Sequence, residues 1–140
     1  MADPFAEFAA RFAEAWSAPT AERLTALLTD DVVLEQPMAP TARGKEQARA
    51  TLGKLIELVP DIHAEVHSSW GDAAGGAITF DLIGTLGGRE LRWHLVDVFE
   101  LRDGLGSKRT SYFDPGPIIT AVVSRPRAWW PFATSGVWRR

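Results

Sequence analysis

Residues Arg89 to Pro115 read RELRWHLVDVFELRDGLGSKRTSYFDP. Trp93, Leu95, Asp97 and Phe99 alternate here with Arg92, His94, Val96, Val98 and Glu100. Side chains on a strand switch faces at every residue, so this pattern predicts a long strand, apolar on one face except for one carboxylate, Asp97. Asp103-Gly104 is a turn signal, and Ser107 to Asp114 then supplies a partner strand. The stretch is expected to be the last hairpin of a cupped antiparallel sheet. A carboxylate on an apolar wall costs free energy unless something there satisfies or uses it. Asp97 is therefore the first functional candidate.

Working back from that hairpin, Asp61 to Trp70 and Ala77 to Leu86 also read with period two. Gly71-Asp72 with Gly75-Gly76, and then Gly87-Gly88, break the strands. Before Pro60 the period is 3.6 instead. Asp3-Pro4 opens a helix whose Phe5, Phe8, Phe12 and Trp16 stack on one face. Thr20 caps a second, shorter helix with Leu24, Leu27 and Leu28 turned inward. Thr29-Asp30-Asp31 reads as a turn and Val32 to Gln36 as a short strand. A third helix runs from Gly44 to about Leu58, with Ala48, Leu52, Leu55, Ile56 and Val59 on its buried stripe. Helices followed by a strand meander predict an α+β domain. Met1 to Ser124 forms that domain, closed by a helix over Ile118 to Ser124. Arg125 to Arg140 is a tail with Arg127, Trp129, Trp130, Phe132, Trp138, Arg139 and Arg140. The tail reads as an arm packed on the body or as partly disordered. The sharper alternatives are a lid over a pocket or an interfacial membrane contact.

A chain of 140 residues is one domain by size. Its net charge of -3 gives no electrostatic reason to expect nucleic acid. With no cysteine, disulfides, thiolate metal sites and cysteine nucleophiles are excluded. The start lacks a signal-peptide pattern, and no apolar run is long enough to span a bilayer. A cytoplasmic protein without cofactor is the expectation, with membrane association not expected.

Several local features resemble the NTF2-like superfamily and, within it, the SnoaL-like domains. They are Thr20-Ala21-Glu22-Arg23-Leu24 through Leu34-Glu35-Gln36-Pro37, then Arg43-Gly44-Lys45-Glu46. Val96-Asp97-Val98-Phe99-Glu100-Leu101 with Asp103-Gly104, and Ser111-Tyr112-Phe113-Asp114, complete the set. The resemblance covers about Phe5 to Asp114. It implies a conical barrel of curved mixed or antiparallel sheet, three N-terminal helices on its concave face and a deep apolar cavity. It often implies a homodimer through the outer sheet face. An aspartate at the position of Asp97 donates to an oxyanion in the related ketosteroid isomerase. That enzyme's base would fall at Gln36 and its tyrosine at about Phe12. The Asp-Arg-Asp relay of limonene epoxide hydrolase would map near Thr79, Asp81 and Ser111, where the arginine and one acid are absent. SnoaL-type polyketide cyclases need only a cavity aspartate.

Together these readings give a cofactor-independent acid-base enzyme acting on a small lipophilic cyclic molecule. Asp97 is its acid, base or oxyanion donor, and Gln36 orients substrate or water. Phe12, Trp16, Leu34, Phe80, Trp93, Leu95, Phe99, Ser111 and Phe113 are the expected pocket. The competing class is a non-catalytic ligand-binding or dimerisation module of the same fold. A two-residue Gly87-Gly88 turn would set Asp81 opposite His94, with both outside the cavity; a bulge would bring Asp81 inside. A three-residue loop at Asp103-Gly104 would put Arg109 and Ser111 on the face of Asp97, where Arg109 would lower its pKa. A register change by one residue would point both away. His63 and His67 share a strand face with Asp61 and Glu65 and read as a solvated or interface face, with no metal site expected.

Overall fold

A computed structural model describes residues 3–124 and 126–136. The elements run α1 (Pro4–Ser17), α2 (Ala21–Thr25), β1 (Leu28–Glu35), β2 (Ala42–Arg43), α3 (Lys45–Leu58), β3 (His63–Asp72), β4 (Gly75–Leu86), β5 (Arg89–Arg102), β6 (Leu105–Tyr112), α4 (Gly116–Ser124) and α5 (Pro126–Ser135). The fold is α+β, as the sequence predicts. The strands form one six-stranded sheet in the order β2-β1-β6-β5-β4-β3. Every neighbouring pair is antiparallel except β1 and β6, which run parallel, so the sheet is mixed. It is open, with β2 and β3 at its edges.

Local chemistry accounts for the elements. Asp3 Oδ1 accepts from the Phe5 amide at 3.0 Å, and Pro4 takes the first turn of α1, where its missing N–H is not needed. Thr20 Oγ1 caps α2 by accepting from the Arg23 amide at 3.0 Å. At the Gly87-Gly88 turn φ is 65° and 82°, and at Asp103-Gly104 it is 54° and 78°. Two successive positive values fit the mirror-image turn whose twist suits a two-residue hairpin. Gly84 is glycine because a Cβ there would sit 2.2 Å from Val59 Cγ1, where the end of α3 meets β4.

The core forms between α1 and the sheet. Phe5, Phe8, Phe12 and Trp16 are all buried. Phe8 packs edge-on against Phe99 at 4.8 Å, and Phe12 against Phe80 at 5.1 Å and Phe99 at 5.9 Å. Burying each such side chain contributes roughly 1.5–3 kcal/mol before geometry is counted.

Two expectations need correction. The strand expected at Val32 begins at Leu28, and Thr29-Asp30-Asp31 is not a separate turn. Between Leu28 and Val33 the pairing with β6 shifts, so the acidic residues bulge outward within the strand, and Asp31 pairs with Arg102. Next, β3 and β4 run on through the glycines to a two-residue turn at Ala73-Ala74, where Asp72 Oδ1 accepts from the Ala74 amide at 2.8 Å. Glycine weakens a strand without forbidding it, and the ladder from Gly71–Gly76 to Asp72–Gly75 holds. The tail, expected as an arm on the body, forms α5 over its described part, with Pro131 inside the helix. The α5 helix packs on α4 and α3. Trp129 and Trp130 are exposed, and Trp129 Nε1 donates to the Val123 carbonyl at 3.3 Å. Arg125, Trp138, Arg139 and Arg140 lie outside the described residues. Among the described residues no helix is long and apolar enough to cross a membrane.

Candidate functional site

The inner face of β4, β5 and β6, with α3 and the helices after β6, lines a partly open cavity of about 110 Å³. Its wall is mostly apolar, with Leu52, Leu55, Leu82, Leu91, Trp93 and Leu95 among the side chains that line it. Its polar groups are few: Asp97, Ser111, Arg109 and Gln36, with Thr51 at the α3 side. An apolar hollow with a few converging polar groups is the usual form of a small-molecule site.

Registry decides which groups converge. The two-residue Gly87-Gly88 turn pairs Leu86 with Arg89, Asp81 with His94 and Ile78 with Asp97. Asp81 and His94 accordingly face outward and Asp97 faces the cavity. The next hairpin reaches the expected face by a different device. Its turn has two residues, which alone would pair Asp97 with Thr110. A bulge between the Glu100–Lys108 and Leu101–Gly106 pairs adds one residue, Ser107, and moves the register by one. Asp97 then pairs with Ser111, and Phe99 with Arg109. The bulge, and not a three-residue loop, brings Arg109 and Ser111 inside.

Asp97 is 2% exposed. Ser111 Oγ donates to its Oδ1. Arg109, itself buried, directs Nη2 to Gln36 Oε1. Arg109 and Asp97 make no ion pair; the guanidinium acts on the carboxylate through space. Burial pushes the Asp97 carboxyl above the usual carboxylate range, and neither Arg109 nor the Ser111 hydroxyl, which both act the other way, outweighs it. Burial likewise lowers the Arg109 guanidinium, against the pull of Asp97. The Arg109 Nε is buried without a hydrogen-bond partner. A buried donor in that state costs free energy, and a ligand oxygen beside it would recover that cost.

Of the expected pocket residues, Trp16, Phe80, Trp93, Leu95, Ser111 and Phe113 line the cavity, as do Asp97 and Gln36. Phe12, Leu34 and Phe99 do not. They line a small space of about 30 Å³ behind Asp97 and Arg109, because the edge-on stack of Phe12 on Phe80 and Phe99 closes the core there. Phe12 is thus behind the wall and Phe80 in it. Alternation on the strands shows which face is inward, but not how deep the helix rings reach. Arg109, Met38, Ile118 and Phe132 were not among the expected pocket residues. The bulge hid Arg109, whereas Phe132 of α5 had a visible signal, an aromatic in a tail able to fold back.

The sequence matches the family described as the SnoaL-like domain over residues 9–107. This chain belongs to that family. Solved structures agree on the NTF2-like fold. A protein provisionally described as a SnoaL-like polyketide cyclase from Jannaschia sp. CCS1 superposes with a TM-score of 0.74 at 19% identity, over 85% of this chain and 91% of that one. A protein with a ketosteroid isomerase-like fold from Catenulispora acidiphila DSM 44928, in complex with trimethylamine, gives 0.73 at 15% identity, over 85% and 91%. An epoxide hydrolase from M. tuberculosis, described as LEH-like, gives 0.69 at 20% identity, over 89% and 92%. A comparison with curated proteins finds no match. The SnoaL-like fold includes cyclases, isomerases and epoxide hydrolases, and chemistry on it is decided by the cavity.

Proposed function

We propose that this SnoaL-like protein is a cofactor-independent acid-base enzyme of isomerase, hydrolase or cyclase type, acting on a small lipophilic cyclic molecule that carries an oxygen function. The observation that carries this reading is the Asp97 carboxyl, held at 2% exposure in the floor of an apolar cavity with its affinity for a proton raised. A carboxyl so placed donates a proton or hydrogen bond to a substrate oxygen, or takes up a proton, close to neutral pH. Ser111 occupies Oδ1 and fixes the carboxyl's orientation, leaving the second oxygen for the ligand. Gln36, its carbonyl held by Arg109, keeps its amide N–H groups to orient substrate or water. The arginine that the epoxide hydrolase relay would place on β4 is replaced, in this reading, by Arg109 from β6. No second acid lines the cavity among the described residues, so the work falls on Asp97 alone. That same feature favours the alternative, a ligand-binding module without turnover. A homodimer through the outer sheet face, where Trp70, Val98 and Tyr112 are exposed, completes the proposal.

The test uses a panel of lipophilic cyclic epoxides and enones. Binding is read from the fluorescence of Trp16 and Trp93, which line the cavity, and turnover by mass spectrometry. The proposal expects wild-type turnover of at least one compound and loss of turnover, with binding kept, in Asp97→Asn. Binding without turnover in the wild type would make the protein a binding module. Equal turnover in both would remove Asp97 from the mechanism.

A further inference from the structure

The outer face of the sheet carries a second cluster that the cavity does not use. Asp81 on β4 is 2% exposed, and its rung sets it between Glu65 on β3 and His94 on β5. The β3–β4 pairing steps from Val66–Phe80 to Ser68–Thr79, so His67 is the extra residue of a bulge. A bulge re-aims a side chain, and here the His67 ring reaches Asp81. His67 Nε2 lies 3.1 Å from Asp81 Oδ1, and His94 Nδ1 contacts the same oxygen. One ligand atom from each of the three residues falls within 4.8 Å of the others. Arg92 Nη1 holds the other oxygen, Oδ2, at 2.9 Å, and also meets Glu65 Oε2 at 2.8 Å.

We propose that His67, Asp81 and His94 form a site for a divalent transition cation of the zinc class. Two imidazoles and one carboxylate are ligands that such cations favour. Metal–ligand bonds of about 2.0–2.2 Å place neighbouring ligand atoms roughly 3–3.5 Å apart. The His67–Asp81 pair already has that spacing at 3.1 Å; the His94–Asp81 contact has to open and any wider separation to close, by rotation of two rings whose side chains are 49% and 82% exposed. In the single chain their exposure leaves a coordination position open to water, and the homodimer proposed above has to leave this cluster uncovered. Arg92 is not a rival for the ligand oxygen. It takes Oδ2, so Oδ1 is turned toward the imidazoles, and a hydrogen-bonded outer partner on a ligating carboxylate is a common support. Glu65 offsets the Arg92 charge, and with neutral imidazoles the cluster keeps one net negative charge, that of Asp81. The site stands apart from the cavity and from the chemistry proposed there.

The full chain, stripped of metal by chelator, is titrated with Co2+ and then Zn2+. The site is expected to take one Co2+ per chain with visible ligand-field absorption, to lose that signal to Zn2+, and to raise the melting temperature with Zn2+. His67→Gln and His94→Gln are each expected to weaken binding tenfold or more, and the double variant to abolish the absorption. Both rings are exposed, so circular dichroism should show the variants folded. Absence of both the absorption and the Zn2+-dependent melting shift in the wild type would overturn the proposal. So would a wild-type signal that the double variant leaves unchanged, since it would place the metal elsewhere.

Discussion

Asp97 and Asp81 sit on neighbouring strands of one sheet, face in opposite directions, and are equally hidden at 2% exposure each. Their chemistry is opposite. Burial wins at Asp97 and raises its proton affinity. At Asp81 burial is again the largest single influence, but hydrogen bonds from Arg92, His94 and His67 together overcome it and lower the carboxyl. Asp97 has one neutral hydroxyl donor and a cation that makes no ion pair with it; Asp81 has a guanidinium and two imidazoles in contact. The cover differs as well. Asp97 lies behind apolar walls, whereas Asp81 is roofed by the long polar side chains of its own partners, which water reaches. Concealment from solvent therefore does not decide what a carboxylate does. The partners do, and strand registry chooses the partners.

The contrast breaks most visibly in activity. Asp97→Asn is expected to lower turnover by roughly 10²- to 10⁴-fold, the usual share of a positioned acid or base, while Asp81→Asn leaves turnover within a few-fold. Steady-state kinetics on any substrate found in the panel checks both. If the two variants lost activity equally, the inner carboxyl would have no special role.

Stability should separate the pair with opposite signs. The folded pKa of Asp97 lies above the ordinary 3.8. A raised acid binds its proton more tightly when folded, so its contribution is full at low pH and is lost as pH rises from 3.8 toward the raised value. Asp97→Asn should thus be as stable as wild type or more so at neutral pH. Asp81 is lowered, so its contribution is present above 3.8 and is lost as pH falls through the lower folded value. Asp81→Asn should cost roughly 1–2 kcal/mol at neutral pH, a low figure because solvent screens its half-exposed partners. That cost should fade in acid. Urea melts across the acidic range measure both slopes, and parallel curves for the two variants would refute the comparison.

Much of this contrast was legible in the residues. The Trp93-Leu95-Asp97-Phe99 alternation marks the inner face, and the Gly87-Gly88 turn fixes the rung that sends Asp81 outward with His94. What the sequence hides are the bulges. Ser107 and His67 each add one residue to a strand, and nothing in their local composition separates them from ordinary strand residues. One of them turns Arg109 toward Asp97, and the other turns His67 toward Asp81. The reach of the helices was hidden for another reason. The periodicity of α1 shows that Phe12 is buried, but only packing decides that Phe80 forms the cavity wall while Phe12 stands behind it.

The finest test asks how far Arg109 restrains Asp97. The guanidinium acts through space and lowers a carboxyl that burial raises more strongly. Arg109→Met keeps length and bulk, removes the charge, and frees the Gln36 amide from its present partner. With the cation gone, burial acts with only the Ser111 hydroxyl against it, so the Asp97 pKa should move further up. The acidic limb of the pH–rate profile should shift to higher pH if Asp97 works as a base; if it works as an acid, the alkaline limb should shift instead. The shift is a small effect beside the loss in Asp97→Asn, and it also separates two roles for Arg109. A residue that merely fills space would leave the profile in place, whereas a residue that tunes the carboxyl cannot be removed without moving it.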